Sequence, residues 1–137
     1  MRFSLSLALF TLVALPLATP AQAQHTPASA QQFVQEFYTW YTSNGSEWIN
    51  VYRYRRNHVG AQLRRQMQAE MNCEEGMICE FDADPFLSSQ DPCSRYTAQR
   101  PASVGARTRV RVRGDCGQTV TVELGRSGRT WQILRVL

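Results

Sequence analysis

Two aspartates and two tyrosines of this sequence could act together in catalysis or ligand binding. They form a candidate pocket that consists of Tyr38, Tyr41, Asp82 and Asp84. A carboxylate buried among aromatic rings has a raised pKa and can act as a general base, with a tyrosine as hydrogen-bond donor. In the alternative interpretation, which ordinary burial preferences favour, the rings are core residues and the carboxylates accept backbone hydrogen bonds.

A second group is a row of arginines at every other position, Arg107, Arg109, Arg111 and Arg113. Guanidinium groups match carboxylates and phosphates, so this row is a candidate face for an anion or an acidic partner. A solvated face partly paired with Glu123 is the alternative. All fifteen basic residues are arginines, and the net charge is only +4, which argues against nucleic acid as the partner of an exported protein.

The four cysteines, Cys73, Cys79, Cys93 and Cys116, are an even set, which in an exported chain predicts two disulfides. A zinc site is the competing interpretation, but the sequence contains no C-x-x-C pair.

Carboxylates also accumulate between residues 72 and 92, where oxygen ligands could bind Ca²⁺. They are Glu74, Glu75, Glu80, Asp82, Asp84 and Asp91. The spacing is not that of an EF-hand, and Asp84 before Pro85 is typical of a helix cap. We therefore expect structural roles for these residues, and no metal or cofactor.

The beginning of the chain has the order of a secretory signal peptide. Arg2 precedes an apolar stretch from Leu5 to Ala18, and Ala21-Gln22-Ala23 provides a cleavage site. A membrane-spanning helix needs about 20 apolar residues, and Pro16 interrupts this run. The sequence therefore predicts a periplasmic or secreted protein with no membrane anchor after cleavage: a signal peptide over 1–23, a flexible leader over 24–29 and one domain over 30–137.

Two helical regions are predicted. Ser29 and Gln32 have the spacing of a capping box, and an aromatic stripe from Phe33 to Tyr41 continues until Asn44-Gly45. The second region has apolar residues at close to helical spacing, which are Tyr52, Val59, Leu63, Met67 and Met71.

The last third predicts antiparallel strands, because apolar residues alternate with polar ones over 104–113 and 119–124. For both apolar rows to share a face, the connecting loop must contain an odd number of residues, either 114–116 or 114–118. Either register places Glu123 opposite Arg107 or Arg109.

Two further strands complete the predicted sheet. A strand over 94–99 that turns at 101–103 would bring Cys93 close to Cys116, which leaves Cys73 to pair with Cys79. A final strand over 130–136 is apolar at both odd and even positions, so its second face is expected to be covered by a loop or by a homodimer through the sheet.

This order predicts an α+β fold, in which N-terminal helices pack on a curved antiparallel meander sheet in a cone shape. Three features resemble a family of uncharacterised secreted bacterial domains with a nuclear-transport-factor-2-like (cystatin-like) fold. They are the Phe37-Tyr38-x-Trp40-Tyr41 pattern, the run FDADPFLSSQDP at 81–92 and the closing Trp131-x-Ile133. The resemblance covers 31–137 and implies the fold and secretion, but no activity.

No nucleophile elbow, P-loop, dinucleotide fingerprint or H-E-x-x-H helix is present in the sequence. We therefore expect a secreted non-catalytic domain that binds a small ligand or a protein partner, such as a toxin in an immunity role. The alternative is a cofactor-free isomerase or hydrolase with a carboxylate and a tyrosine inside the cone. A packed interior together with an exposed apolar sheet face favours binding, whereas an internal pocket that holds both groups favours catalysis.

Cleavage of the signal peptide is directly testable. We expect the intact mass of the exported protein to correspond to residues 24–137, because the A-x-A site lies at 21–23. Mass spectrometry of the protein released from the envelope measures this, and retention of residues 1–23 would contradict it.

Overall fold

The computed structural model of the protein describes residues 29–74, 76–79 and 81–137, so the predicted signal peptide lies outside the described residues. The elements are α1 (Ala30–Ser43), α2 (Trp48–Tyr54), a 3₁₀ turn (Arg56–His58), α3 (Ala61–Met71), β1 (Tyr96–Ala98), β2 (Ala102–Val104), β3 (Arg107–Gly114), β4 (Thr119–Ser127) and β5 (Thr130–Val136). Within the described ranges, no helix has the length and apolar character needed to cross a membrane. The fold is α+β, with helices packed on one face of an antiparallel sheet, as predicted.

Helix α1 begins and ends where the sequence predicts. The Ser29 hydroxyl accepts a hydrogen bond from the Gln32 N–H at 3.1 Å, which caps the first turn. Asn44 ends the helix, and Gly45 follows with a φ of +80°, a conformation that glycine adopts without strain. The aromatic stripe of α1 faces the sheet and is buried in the core.

The second predicted helical region consists of two α-helices, α2 and α3, with the 3₁₀ turn between them. After Tyr54 the chain leaves the helix, and Val59 forms a parallel bridge with Ile133 of β5. The Gly60 N–H donates to the Ile133 carbonyl at 2.8 Å. A Cβ atom at Gly60 would lie 2.9 Å from Cδ2 of Leu134, so a larger residue at this position would require the Leu134 side chain to shift.

The long loop after α3 contains one helical turn at its predicted position. Oδ1 of Asp84 accepts the N–H groups of Phe86 at 2.8 Å and Leu87 at 3.0 Å, and Pro85 occupies the position that needs no donor. The turn thereby directs Phe86 and Leu87 into the core, where both are buried.

Phe86 packs against the aromatic stripe of α1. Its ring centroid lies 5.2 Å from that of Phe37 and 5.4 Å from that of Tyr41, within the range of favourable aromatic contacts. Because all three rings are buried, the loop fills the space between the helices and the sheet.

Two disulfides are present, with the predicted pairing. Cys73–Cys79 closes a local ring, and Cys93–Cys116 ties the end of the loop to the β3–β4 connection. Gly114 packs directly against the second bridge, since a Cβ atom there would lie 2.9 Å from the Cβ of Cys93.

The sheet order is β1-β3-β4-β5, and β2 also pairs with β3. Arg113 lies opposite Thr119 and Arg109 lies opposite Glu123, so the β3–β4 register is the predicted one with the five-residue loop 114–118. The turn into β3 was predicted at 101–103 and lies instead after Val104, because β1 and β2 are consecutive segments that both pair with β3.

Strand β5 contains a β-bulge that explains its unusual pattern. Glu123 and Leu124 of β4 lie opposite Arg135 and Ile133, so one residue of β5, Leu134, has no partner. The bulge changes which alternate residues of β5 face the core. Before it Trp131 and Ile133 pack into or against the core, and after it Val136 does so. The two-sided apolar pattern therefore does not require a covered outer face, which removes the reason for expecting a homodimer.

Replacement of Phe86 by alanine tests the role of this ring. We expect Phe86→Ala to lower the free energy of unfolding by about 3–5 kcal/mol, the usual cost of truncating a buried aromatic side chain. Denaturant unfolding measures the change. Asp84→Asn, which retains a capping oxygen, is the control and should cost less than about 1 kcal/mol. An unfolding free energy equal to that of the wild type for Phe86→Ala would contradict the packing described above.

Candidate functional site

The structure brings together three of the four residues of the candidate pocket. The Tyr41 hydroxyl donates to Oδ2 of Asp84, and the Tyr38 hydroxyl donates to the Phe86 carbonyl at 2.6 Å. Asp82, the fourth residue, lies on the exposed side of the loop. The two tyrosines and Asp84 thus connect α1 to the turn that contains Phe86.

This arrangement is built for structural hydrogen bonding. Burial is the main cause that raises the pKa of Asp84, while the Tyr41 hydroxyl and two backbone amides favour the carboxylate and oppose that rise. Burial also raises the pKa of Tyr41, and the neighbouring carboxylate adds to the effect. Three donors already occupy three of the roughly four acceptor positions of the Asp84 carboxylate.

The space beside these groups is on the surface and not inside the fold. Tyr38 and Tyr41 are completely buried by protein atoms. Asp84 borders an open depression of about 650 Å³ between the start of α2 and Met71. The described residues that line this depression include neither Tyr38 nor Tyr41, so the depression brings Asp84 together with neither tyrosine hydroxyl.

The carboxylates of the long loop do not converge on a common point within the described ranges. The one group of three ligand-type side chains found there is Cys93, Asp115 and Cys116. Both of its sulfur atoms are consumed by the disulfide, so this group offers a single carboxylate.

The outer surface of the sheet, opposite the helices, is strongly cationic. Residues that alternate with the buried Val110 and Val112 point away from the core, and they include the predicted arginine row. We refer to this surface as the arginine face, and its basic residues are Arg107, Arg109, Arg111, Arg113 and Arg135.

Glu123 lies among three of these arginines and is only 1% exposed. Its Oε1 accepts from Arg107 and, at 3.0 Å, from Nε of Arg135, while its Oε2 accepts from Nε of Arg109 at 3.0 Å. The hydrogen bonds from Arg107 and Arg135 are the largest causes that lower the pKa of Glu123 to about 2. The sequence predicted that Glu123 lies opposite an arginine of β3. It did not predict the contact with Arg135, because the bulge in β5 changes which of its residues point to the outer face.

Arg111 and Arg113 extend the face beyond this cluster. They lie opposite Thr121 and Thr119, and neither arginine forms a salt bridge with another described residue. Both side chains are exposed, and alternate residues of a strand lie about 7 Å apart. The arginine face therefore offers two guanidinium groups that are free to bind carboxylates or phosphates.

A polar groove adjoins the arginine face at Arg113. It lies between α1 and β1, has a volume of about 820 Å³, and is also lined by Arg95, Thr39 and Thr42. Its hydroxyl and guanidinium groups add hydrogen-bonding capacity beside the sheet.

Comparison with known proteins gives one structural likeness. No protein-family model matches the chain, and no match was found among curated proteins. The fold is similar to a chain in the crystal structure of the type VI native effector-immunity complex Tae3-Tai3 from Ralstonia pickettii, with a TM-score of 0.58 and 23% sequence identity. The likeness covers 79% of this chain and 93% of that chain. At this identity the comparison shows a shared fold, and the resemblance to nuclear-transport-factor-2-like domains stays a prediction.

The pH dependence of stability tests the position of Glu123. Its pKa is lower in the folded protein than its usual value of 4.5, so ionised Glu123 stabilises the fold above about pH 4.5 and loses this effect as the pH falls towards 2. We expect Glu123→Gln to melt at a lower temperature than the wild type at pH 7, with a difference that narrows steadily below pH 4.5. Thermal unfolding followed by circular dichroism measures this, with Asp82→Asn as a control at an exposed carboxylate. A difference between wild type and Glu123→Gln that does not depend on pH would contradict the assignment.

Proposed function

We propose that this protein is an extracytoplasmic, non-catalytic binding protein whose arginine face docks an acidic surface of a protein partner. The observation that carries the proposal is the excess positive charge on that face, where three guanidinium groups bind the Glu123 carboxylate and two more, those of Arg111 and Arg113, form no salt bridge with another described residue. The two disulfides support an oxidising compartment.

The shape of the face supports a protein partner. Small-molecule sites are usually concave and largely apolar, whereas the arginine face is an open surface that extends over three neighbouring strands. Arginine is enriched at protein interfaces, where its planar group contacts carboxylates in bidentate geometry. A second copy of the chain is a poor partner for this face, because two arginine faces would repel each other.

Toxin immunity is the specific role that we propose. The similar fold occurs in a complex of an effector and an immunity protein, and an immunity protein must bind its target strongly without needing an active site. The packed core and the hydrogen bond from Tyr41 to the Asp84 carboxylate are consistent with such a protein. A cationic face would also accelerate association with an acidic toxin through electrostatic steering.

Reversal of charge on the arginine face tests the proposal. The mature protein is immobilised, the partner retained from native envelope extract is identified and purified, and its affinity is measured at several salt concentrations. Since each substitution would place a carboxylate against an acidic surface, we expect Arg111→Glu/Arg113→Glu to weaken binding at least tenfold. The wild-type affinity should fall as salt is raised.

A matched variant shows whether binding depends on the position of the substituted arginines or only on the net charge of the protein. Arg56→Glu/Arg65→Glu changes the net charge by the same amount at exposed positions on the helical side, and it should bind within about twofold of the wild type. Equal weakening by both variants, or no weakening by either, would reject the arginine face as the docking surface. The immunity role also predicts that periplasmic expression of the partner stops growth, and that co-expression of the wild-type protein restores it.

A further inference from the structure

Two adjacent apolar side chains are exposed in the ring closed by Cys73–Cys79. Ile78 is fully exposed and Met77 is 60% exposed. Single apolar side chains are common on protein surfaces, but a fully exposed isoleucine beside an exposed methionine in a tight ring is costly in water. Nothing within the described part of the chain covers them, so the tip of this ring is available for contact.

The ring has a defined shape. The Met77 N–H donates to the Glu74 carbonyl at 3.1 Å, and Gly76 between them adopts a φ of +91°. The disulfide closes this turn over a separation of six residues. The apolar pair is thus presented by a pre-organised turn rather than by a free loop.

One residue of α3, Glu70, binds the chain at the start of the ring and again two residues after its end. The Cys73 N–H donates to the Glu70 carbonyl at 3.0 Å, and the Phe81 N–H donates to Oε2 of Glu70 at 3.1 Å. The Phe81 ring then packs edge-to-face on Trp48 of α2, with 5.7 Å between centroids. The chain is therefore attached to α3 at Cys73 and to α2 and α3 at Phe81.

The charge around the apolar pair indicates what could cover it. Segment 73–80 contains three glutamates, Glu74, Glu75 and Glu80, and no basic residue. Glu74 lies in the described part of the ring, and a carboxylate close to an apolar tip complements a recess with cationic groups at its rim. An anionic lipid surface would repel the same carboxylates, so the charge favours a protein over a membrane.

We propose that the Cys73–Cys79 ring is a docking loop that inserts Ile78, with Met77 beside it, into an apolar recess with a cationic rim on a protein partner. The inference rests on the proposed function as a partner-binding protein, but it uses a surface other than the arginine face. A single apolar anchor in a well-packed pocket can dominate an interface, and a pre-closed ring lowers the entropy cost of ordering it.

Affinity for the partner retained by the immobilised wild-type protein tests the docking loop. We expect Ile78→Asp to weaken binding at least tenfold, because a carboxylate cannot enter an apolar recess. Glu74→Arg should weaken binding several-fold through repulsion at the rim. Cys73→Ser/Cys79→Ser, which keeps both apolar side chains, should weaken binding by an intermediate factor. Tyr54→Asp is the matched control, since Tyr54 is 69% exposed on α2, and it should bind within about twofold of the wild type.

The outcomes separate this inference from the proposed function. Unchanged affinity for Ile78→Asp together with loss of binding by Arg111→Glu/Arg113→Glu overturns the docking loop and leaves the arginine face in place. The reverse pattern supports the docking loop and rejects the arginine face. Flotation of the wild type with phosphatidylglycerol vesicles, lost in Ile78→Asp, would show a membrane contact and overturn the proposal. Retention of no partner by the wild type would overturn both. Equal melting temperatures of wild type and Ile78→Asp verify that the variant is folded.

Discussion

The insertion of Phe86 beneath α1 is the contact on which the rest of the structure depends. The turn begun by Asp84 directs this ring between Phe37 and Tyr41, and the Tyr41 hydroxyl binds the same carboxylate. One residue thus joins the loop, the first helix and the sheet into a single core. The hydroxyl groups of Tyr38 and Tyr41 connect α1 to the same turn, through the Phe86 carbonyl and the Asp84 carboxylate.

Two surfaces of the protein have opposite character, and each follows from local chain geometry. The period of two in β3 places every arginine of its row on the side away from the helices. Glu123 compensates part of that charge, and burial of its carboxylate is tolerated because three guanidinium groups bind it. The ring after α3 instead combines glutamates in its sequence with two exposed apolar side chains, those of Met77 and Ile78. A partner that contacts both surfaces would need an acidic region and a separate apolar recess.

Features determined by neighbours in sequence could be predicted from sequence, and features determined by tertiary contact could not. The Ser29 cap, the Asp84-Pro85 turn and the parity that places Glu123 opposite an arginine all follow from local rules. The break at Gly60 depends on its hydrogen bond to β5, and the position of Arg135 depends on a bulge that strict alternation does not reveal. The exposure of Ile78 could not be predicted either, because an apolar residue is expected in the core until the fold is known.

The most direct test of the account is in-cell photo-cross-linking from the centre of the arginine face. A photoreactive residue at Thr121, opposite Arg111, would be compared with one at Gln62, an exposed position of α3 on the helical side. We expect a partner adduct from position 121 that maps to a peptide rich in aspartate and glutamate, and that disappears when Arg111 and Arg113 are replaced by glutamate. Adducts from position 62 alone, or adducts from position 121 that persist after charge reversal, would contradict the proposed docking surface.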